Sequence, residues 1–157
     1  MADTFGNLQA SILDKLIDNE PDVAAEPVAS RMMNLRDIEA SVVRDIENLL
    51  NTRRTVFIPP VALNNVNKSL HMYGLRDFTA ENPNSPHVVQ KLRREIAQSL
   101  ALFEPRIKNV VVHIENKGSS RDLYFRIAGT LAIYPISEPV IFDIRLDPNK
   151  GEYLISR

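Results

Sequence analysis

The chain has 157 residues, enough for one domain with a modest core, and 44% of them are hydrophobic. Its net charge is -1 with both signs interspersed, which excludes a nucleic-acid footprint or a polybasic membrane patch. Cysteine is absent, excluding disulfides and thiolate metal sites, and no stretch approaches the roughly 20 apolar residues of a membrane span.

The opening MADTFGNLQAS is neither basic nor followed by a long apolar run, so no signal peptide is expected and the reading is of a soluble protein. Leu8, Ile12, Leu13, Leu16 and Ile17 then fall on one face of a short amphipathic helix, with Asp14, Lys15 and Asp18 elsewhere. Asn19-Glu20-Pro21 ends it, and residues 22–30, rich in Pro, Ala and acid without a period, read as a linker. A helix on a tether either docks on a partner through that apolar face or folds back on its own domain, and periodicity does not distinguish the two.

The next helix has Asn34 as its expected cap, Asp37 in its first turn, and a stripe of Leu35, Ile38, Val42, Ile46, Leu49 and Leu50. It runs out at Asn51-Thr52-Arg53-Arg54. Thr55-Val56-Phe57-Ile58 has the composition of a short strand, stopped by Pro59-Pro60. Val66 to Tyr73 suits a helical turn or two closed by Gly74 as a left-handed cap. After the loop at 81–86, Ser85 and Pro86 open another helix, with a stripe of Val89, Leu92, Ile96, Leu100 and Phe103.

Glu104-Pro105-Arg106 ends that helix, and beyond it the period changes to two. Val110, Val112 and Ile114 alternate with Val111 and His113; Leu123, Phe125, Ile127, Leu131 and Ile133 share one face of the next strand. Gly129 inside it signals a bulge or a close backbone approach. Val140, Phe142, Ile144 and Leu146 repeat the alternation, and a turn at 147–151 leads to a last strand, Tyr153-Leu154-Ile155. Short connections imply an antiparallel meander of three to four strands with one face buried under the two long helices, so the fold class is α+β. The expected division is an N-terminal amphipathic helix and linker over 1–33 and a domain over 34–157.

No phosphate loop, nucleophile elbow, helical histidine pair or calcium loop is present. His113 and Glu115 share a strand face, but no nucleophile accompanies them. A glycosidase needs two carboxylates flanking a cleft; Glu104 is one candidate, with Glu115, Asp122 or Asp143 as the other. The neighbouring Arg106 cation favours a charged Glu104, the opposite of what a general acid needs. No catalytic residue, cofactor or metal site is therefore assigned. The triplet itself is either a solvated ion pair worth roughly 0–1 kcal/mol or an inter-subunit clamp in which Arg106 grips a partner's carboxylate or carbonyls.

Several short stretches in fixed order carry a family resemblance. They are Ile12-Leu13-Asp14-Lys15-Leu16, the helix 41–53, Tyr73-Gly74-Leu75-Arg76-Asp77-Phe78, Phe103-Glu104-Pro105-Arg106-Ile107, and Glu138-Pro139-Val140-Ile141-Phe142 with Leu146-Asp147 and Gly151 behind it. In these the chain resembles the gene-25-like (lysozyme-like) wedge proteins of contractile phage baseplates, the family that takes in the TssE subunits of type VI secretion. Arg76 stands where relatives are expected to carry proline.

The resemblance implies a non-enzymatic structural role in a type VI secretion baseplate wedge. The implied partners are TssF, TssG and TssK, together with the sheath subunits TssB and TssC, whose polymerisation starts on this platform. It also implies that Glu104, Pro105 and Arg106 help hold the wedge core together. The expected location is cytoplasmic, within a membrane-docked machine. The alternative attached to the family's older label is a peptidoglycan-cleaving hydrolase. A meander leaves an unpaired edge, and the expected sheath-facing residues are Val140, Phe142, Ile144, Tyr153, Leu154 and Ile155.

Overall fold

The computed structural model describes residues 11–17, 22, 35–78, 81–82, 85–115, 123–133, 136–147 and 150–156. They divide into two compact units, Met1–Arg44 and Asp45–Arg157, with the boundary inside a long helix.

In the first unit, helix α1 (Ile12–Leu16) begins with a capping box. The Asp14 N–H donates to Ser11 Oγ and the Ser11 N–H donates to Asp14 Oδ2, each at 3.1 Å. Asp14 also accepts from Ser41 Oγ at 2.8 Å and from Arg44 Nη2 at 2.7 Å, both on the first part of helix α2 (Leu35–Asn51). The polar side of α1 therefore makes the contact, and the apolar side faces outward, with Ile12 81% and Leu16 76% exposed and Leu13 and Ile17 exposed as well. Ser11, Arg44 and Ser41 stabilise the Asp14 carboxylate more than burial opposes it, so its pKa is lowered to about 2. Leu8, Asp18, the linker beyond Asp22 and the expected cap Asn34 lie outside the described residues.

The second unit starts within α2, and both ends of this helix follow the expected stripe. Ile38 and Val42 are buried in its first part, and Ile46, Leu49 and Leu50 in its second. The strand expected at 55–58 is not formed. Prolines 59 and 60 offer no donors, no described strand lies beside it, and among the described residues the pairing nearby is an isolated parallel bridge between Arg53 and Leu75. A short helix α3 (Asn64–Asn67) and a 3₁₀ turn at Leu70–Met72 follow instead. Gly74 has φ +98°, and a Cβ there would lie 2.3 Å from the Thr52 carbonyl oxygen, so glycine is required twice over.

Helix α4 (Pro86–Phe103) starts with Ser85 at the cap, although only the Ser85 carbonyl is used, accepting from Val89. It buries Val89, Leu92, Ile96 and Leu100 as expected, and also Glu95 and Ser99.

Strands β1 (Ile107–Glu115), β2 (Leu123–Ile133), β3 (Ile136–Asp147) and β4 (Glu152–Ser156) form an antiparallel meander in the order β1-β2-β3-β4. Leu123, Phe125, Ile127 and Leu131 of β2 and Val140, Phe142, Ile144 and Leu146 of β3 are buried. Their register places Phe125 opposite Ile144 and Ile127 opposite Phe142. A one-residue slip would turn all of them to solvent, which pins the pairing. On β1 the simple alternation fails. A bulge between Lys108 and Val111, with Asn109 at φ 54°, resets the phase, so Ile107 and Val112 are both buried although five residues apart. Gly129 makes room for this, since a Cβ on it would lie 2.6 Å from Ile107 Cγ2.

Candidate functional site

Helix α4 ends where proline must end it. Glu104 takes the cap position with φ -121° and ψ 72°, its N–H still donating to Leu100 O at 2.9 Å. The Ile107 N–H closes the corner on Glu104 O at 3.1 Å, and the Arg106 carbonyl accepts from Ala132 of β2 at 2.8 Å. The backbone is thus tied on both sides of Pro105, which is exposed.

This stiff corner aims the two charged side chains at each other. Arg106 Nε donates to Glu104 Oε1 at 2.6 Å and its Nη2 to Oε2 at 2.7 Å, a bidentate fork. Nη2 also reaches Asp45 Oδ2 of α2 at 2.5 Å. Glu104 is only 4% exposed. Burial disfavours the Arg106 cation, but the bonds and charges of Glu104 and Asp45 outweigh it and hold its pKa above the ordinary arginine value. Tyr73 packs edge-on against Phe103 at 5.3 Å; burial, then the Asp45 and Glu104 charges, raise its pKa.

The triplet is therefore not a solvated pair. Within this chain the arginine fork grips Glu104 and Asp45. Asp45 was not foreseen: it lies 61 residues from Arg106 and carries no local signal.

Glu104 does not join the second acids named for a hydrolase. Both its oxygens are engaged by Arg106, and Asp143 pairs across strands with Arg126 at 2.7 Å. The Glu104 corner is tied to Ala132, six residues along β2 from Arg126. At about 3.3 Å per residue that is ~20 Å, against the ~5–9.5 Å of glycosidase carboxylate pairs. Asp122 and the Glu115 side chain lie outside the described residues, and His113 is exposed on β1. No group of three or more His, Asp or Glu among the described residues could hold a metal ion, and no described helix is long and apolar enough to cross a membrane.

At the sheet edge, β4 is shorter than β3. The Tyr153 N–H donates to Asn51 Oδ1 at 2.8 Å, Asn51 Nδ2 donates to Tyr153 O at 3.0 Å, and the Ile155 N–H reaches Glu47 Oε1 at 3.3 Å. Side chains of α2 thus occupy the outward backbone of β4. Because antiparallel strands alternate their hydrogen-bonding direction, Leu154 faces β3, and the odd residues Asp143, Arg145 and Asp147 face β4. Ser137, Pro139 and Ile141 point the same way, beyond the end of β4, where no described strand pairs with them.

The six sheath-facing residues expected from sequence fall into different environments. Val140, Phe142, Ile144 and Tyr153 are buried, Leu154 is exposed and Ile155 half-buried. The backbone left open on the β4 side is that of the 137–141 stretch, which includes the expected Val140 and whose Ile141 is 58% exposed.

One further surface was not singled out in the sequence. Val56, Phe57, Ile58, Val61, Leu63 and Leu70 are all exposed, Val56 at 97% and Val61 at 93%. The segment is held by its own bonds, such as Asn67 Nδ2 to Pro60 O at 2.9 Å and the Leu63 N–H to the same oxygen. Its signal was an apolar run in a stretch without helical or strand period.

The charged corner is engaged internally, while one strand segment is open and the apolar segment around Val56 to Leu70 is exposed. The family model for baseplate wedge protein gp25 matches residues 36–135, and the chain belongs to that family, a structural component of baseplates. Among solved structures it is similar to a chain of the baseplate complex from the type VI secretion system. The two share 20% identity and a TM-score of 0.50, covering 71% of this chain and 96% of that one, a likeness of fold. No curated protein sequence matches it.

Proposed function

We propose that the chain is a non-enzymatic wedge subunit of a type VI secretion baseplate on the cytoplasmic side, seated with TssF, TssG and TssK. In this reading it provides the platform on which the sheath subunits TssB and TssC begin to polymerise. The observation that carries the reading is the open half of β3 beside a capped β4. Ser137 and Ile141 offer donors and acceptors there, and Pro139 an acceptor, to an added strand lying in line with β4. Capping by Asn51 and Glu47 restricts addition to that segment, so the first sheath strand meets one register.

Glu104 and Arg106 act by fixing the corner that Pro105 exposes to the wedge partner, and the apolar loop around Val56–Leu70 supplies buried area against TssF or TssG. The outward face of Ile12, Leu13, Leu16 and Ile17 is a second docking element. Helices α2 and α4 and the sheet form the wedge domain proper, and the helix before the linker its appendage.

Co-purification with TssF and TssG tests the wedge role, with loss expected for Arg106→Ala and for Val56→Asp/Val61→Asp. Sheath assembly tests the platform. Proline at Ile141 removes an outward donor and is expected to block sheath growth without unfolding the chain, whereas proline at Phe142 disrupts the bonds to β2. Normal sheath assembly with Ile141→Pro would overturn the platform, and turnover of purified cell wall lost on Glu104→Gln would overturn the non-enzymatic reading.

A further inference from the structure

Helix α4 carries, on the side where Arg76, Phe78 and Glu81 lie against it, a group of charges that the wedge reading leaves unused. Its centre is Glu95, 5% exposed. Glu95 Oε1 accepts from the Arg76 N–H at 2.9 Å and lies 3.1 Å from Arg54 Nη2. Its Oε2 takes Arg76 Nε and Nη2, both at 2.7 Å. One buried carboxylate thus holds two guanidiniums and leaves one positive charge over. Beside it Lys91 pairs with Glu81 at 2.7 Å. Arg76 and Lys91 both stand over the Phe78 ring, at 5.5 and 5.7 Å from its centroid. These two cations are thereby fixed in place before any ligand arrives.

His87, Lys91, Arg94 and Gln98 recur at helical spacing along this side of α4, with Gln90 between them, and with Arg76 they line one concavity. Arg94 is exposed and makes no ion pair among the described residues. Counting Arg54, Arg76, Lys91 and Arg94 against Glu81 and Glu95, the site holds a surplus of two positive charges on a chain whose net charge is -1. The surplus is therefore local.

We propose that this concavity docks an acidic peptide segment of a partner protein, carboxylates meeting Arg94 and the outer edge of Arg76. The chemistry favours a peptide over a nucleic acid. Arginine's planar fork matches a carboxylate bidentately, and the Gln90 and Gln98 amides both donate and accept, as a peptide backbone requires. A nucleic-acid strand would need a longer basic track than this single hollow. The proposal does not depend on the wedge reading, since it rests on charges that reading does not use.

Fluorescence anisotropy with a labelled octaglutamate peptide and the full chain tests it. Saturable binding is expected that weakens as salt rises, and at least ~10-fold with Arg94→Glu. Arg145→Glu, on the exposed side of β3, is expected to leave it unchanged. Arg94→Gln, with an unchanged thermal melt, separates loss of the site from loss of the fold and is expected to weaken binding by several-fold. Absence of saturable binding, an equal loss with Arg145→Glu, or equally tight binding of an eight-nucleotide oligouridine would each overturn the proposal.

Discussion

Arg106 donates through two nitrogens to both oxygens of Glu104, two residues earlier in the chain, and the only residue between them is the proline that ends helix α4. Proline fixes the backbone so that two side chains which would otherwise diverge form a bidentate pair. Asp45 then closes the cluster from α2.

Removing the cation leaves Glu104 buried and charged without its partner. Arg106→Ala is expected to cost about 3 kcal/mol, at the lower end of broken buried pairs because Arg106 keeps partial exposure. Asp45→Asn is expected to cost about 1 kcal/mol, since the Glu104 fork survives. Urea unfolding of the three proteins gives both values, and equal losses would contradict the assigned ranking.

Gly74→Ala tests the corner between Thr52 and Leu75. A Cβ there meets a backbone oxygen, and the positive φ adds strain, together about 3 kcal/mol. For a chain of this size that is a fall in Tm of roughly 6–12 °C. A melt within a degree of the parent would show that the backbone relaxes freely.

The cap on β4 is worth measuring separately. Asn51→Ala frees both the N–H and the carbonyl of Tyr153 and is expected to cost about 1–2 kcal/mol, with Glu47→Ala costing less because its bond is longer. Hydrogen exchange at the Tyr153 and Ile155 amides should accelerate in the matching variant alone.

Acid pH acts on Asp14. Its folded pKa of about 2 lies below the ordinary 3.8, so its contribution is present above pH 4 and is lost as pH falls from about 4 towards 2. Exchange at the α1 amides is expected to rise over that window. Asp14→Asn should show the raised rate at every pH, and an unchanged profile would remove Asp14 from the contact with Ser41 and Arg44.

Alkaline pH acts on Tyr153. Burial, then the charges of Glu95 and Asp77, push its phenol above the ordinary value of 10.0. The unfolded chain therefore loses this proton first, and stability falls as pH rises past about 10. Ultraviolet titration should show a late-ionising phenol that disappears in Tyr153→Phe.

Much of the fold was legible along the chain because its signals are local. The stripes of α2 and α4, the alternation of β2 and β3, and the glycine at 74 each follow from the conformation of a few neighbouring residues. The expected strand at 55–58 failed because strand composition has no effect without a neighbouring strand, and Val56 to Ile58 found none. On β1, one bulged residue reset an alternation that the sequence displays without interruption.

By itself, then, the sequence determined the two long helices, the meander, and a stiff corner holding an acid and a base. Only the tertiary structure decided what those charges grip. Arg106 meets Asp45 across 61 residues, Asn51 closes the β4 edge across 102, and Glu95 gathers Arg54 and Arg76. It also turned the apolar side of α1 outward by tying Asp14 to Ser41 and Arg44. The physical reason is that periodicity records which side of an element is apolar. The partner of a buried charge is fixed by which distant segments the packed core brings within hydrogen-bonding reach.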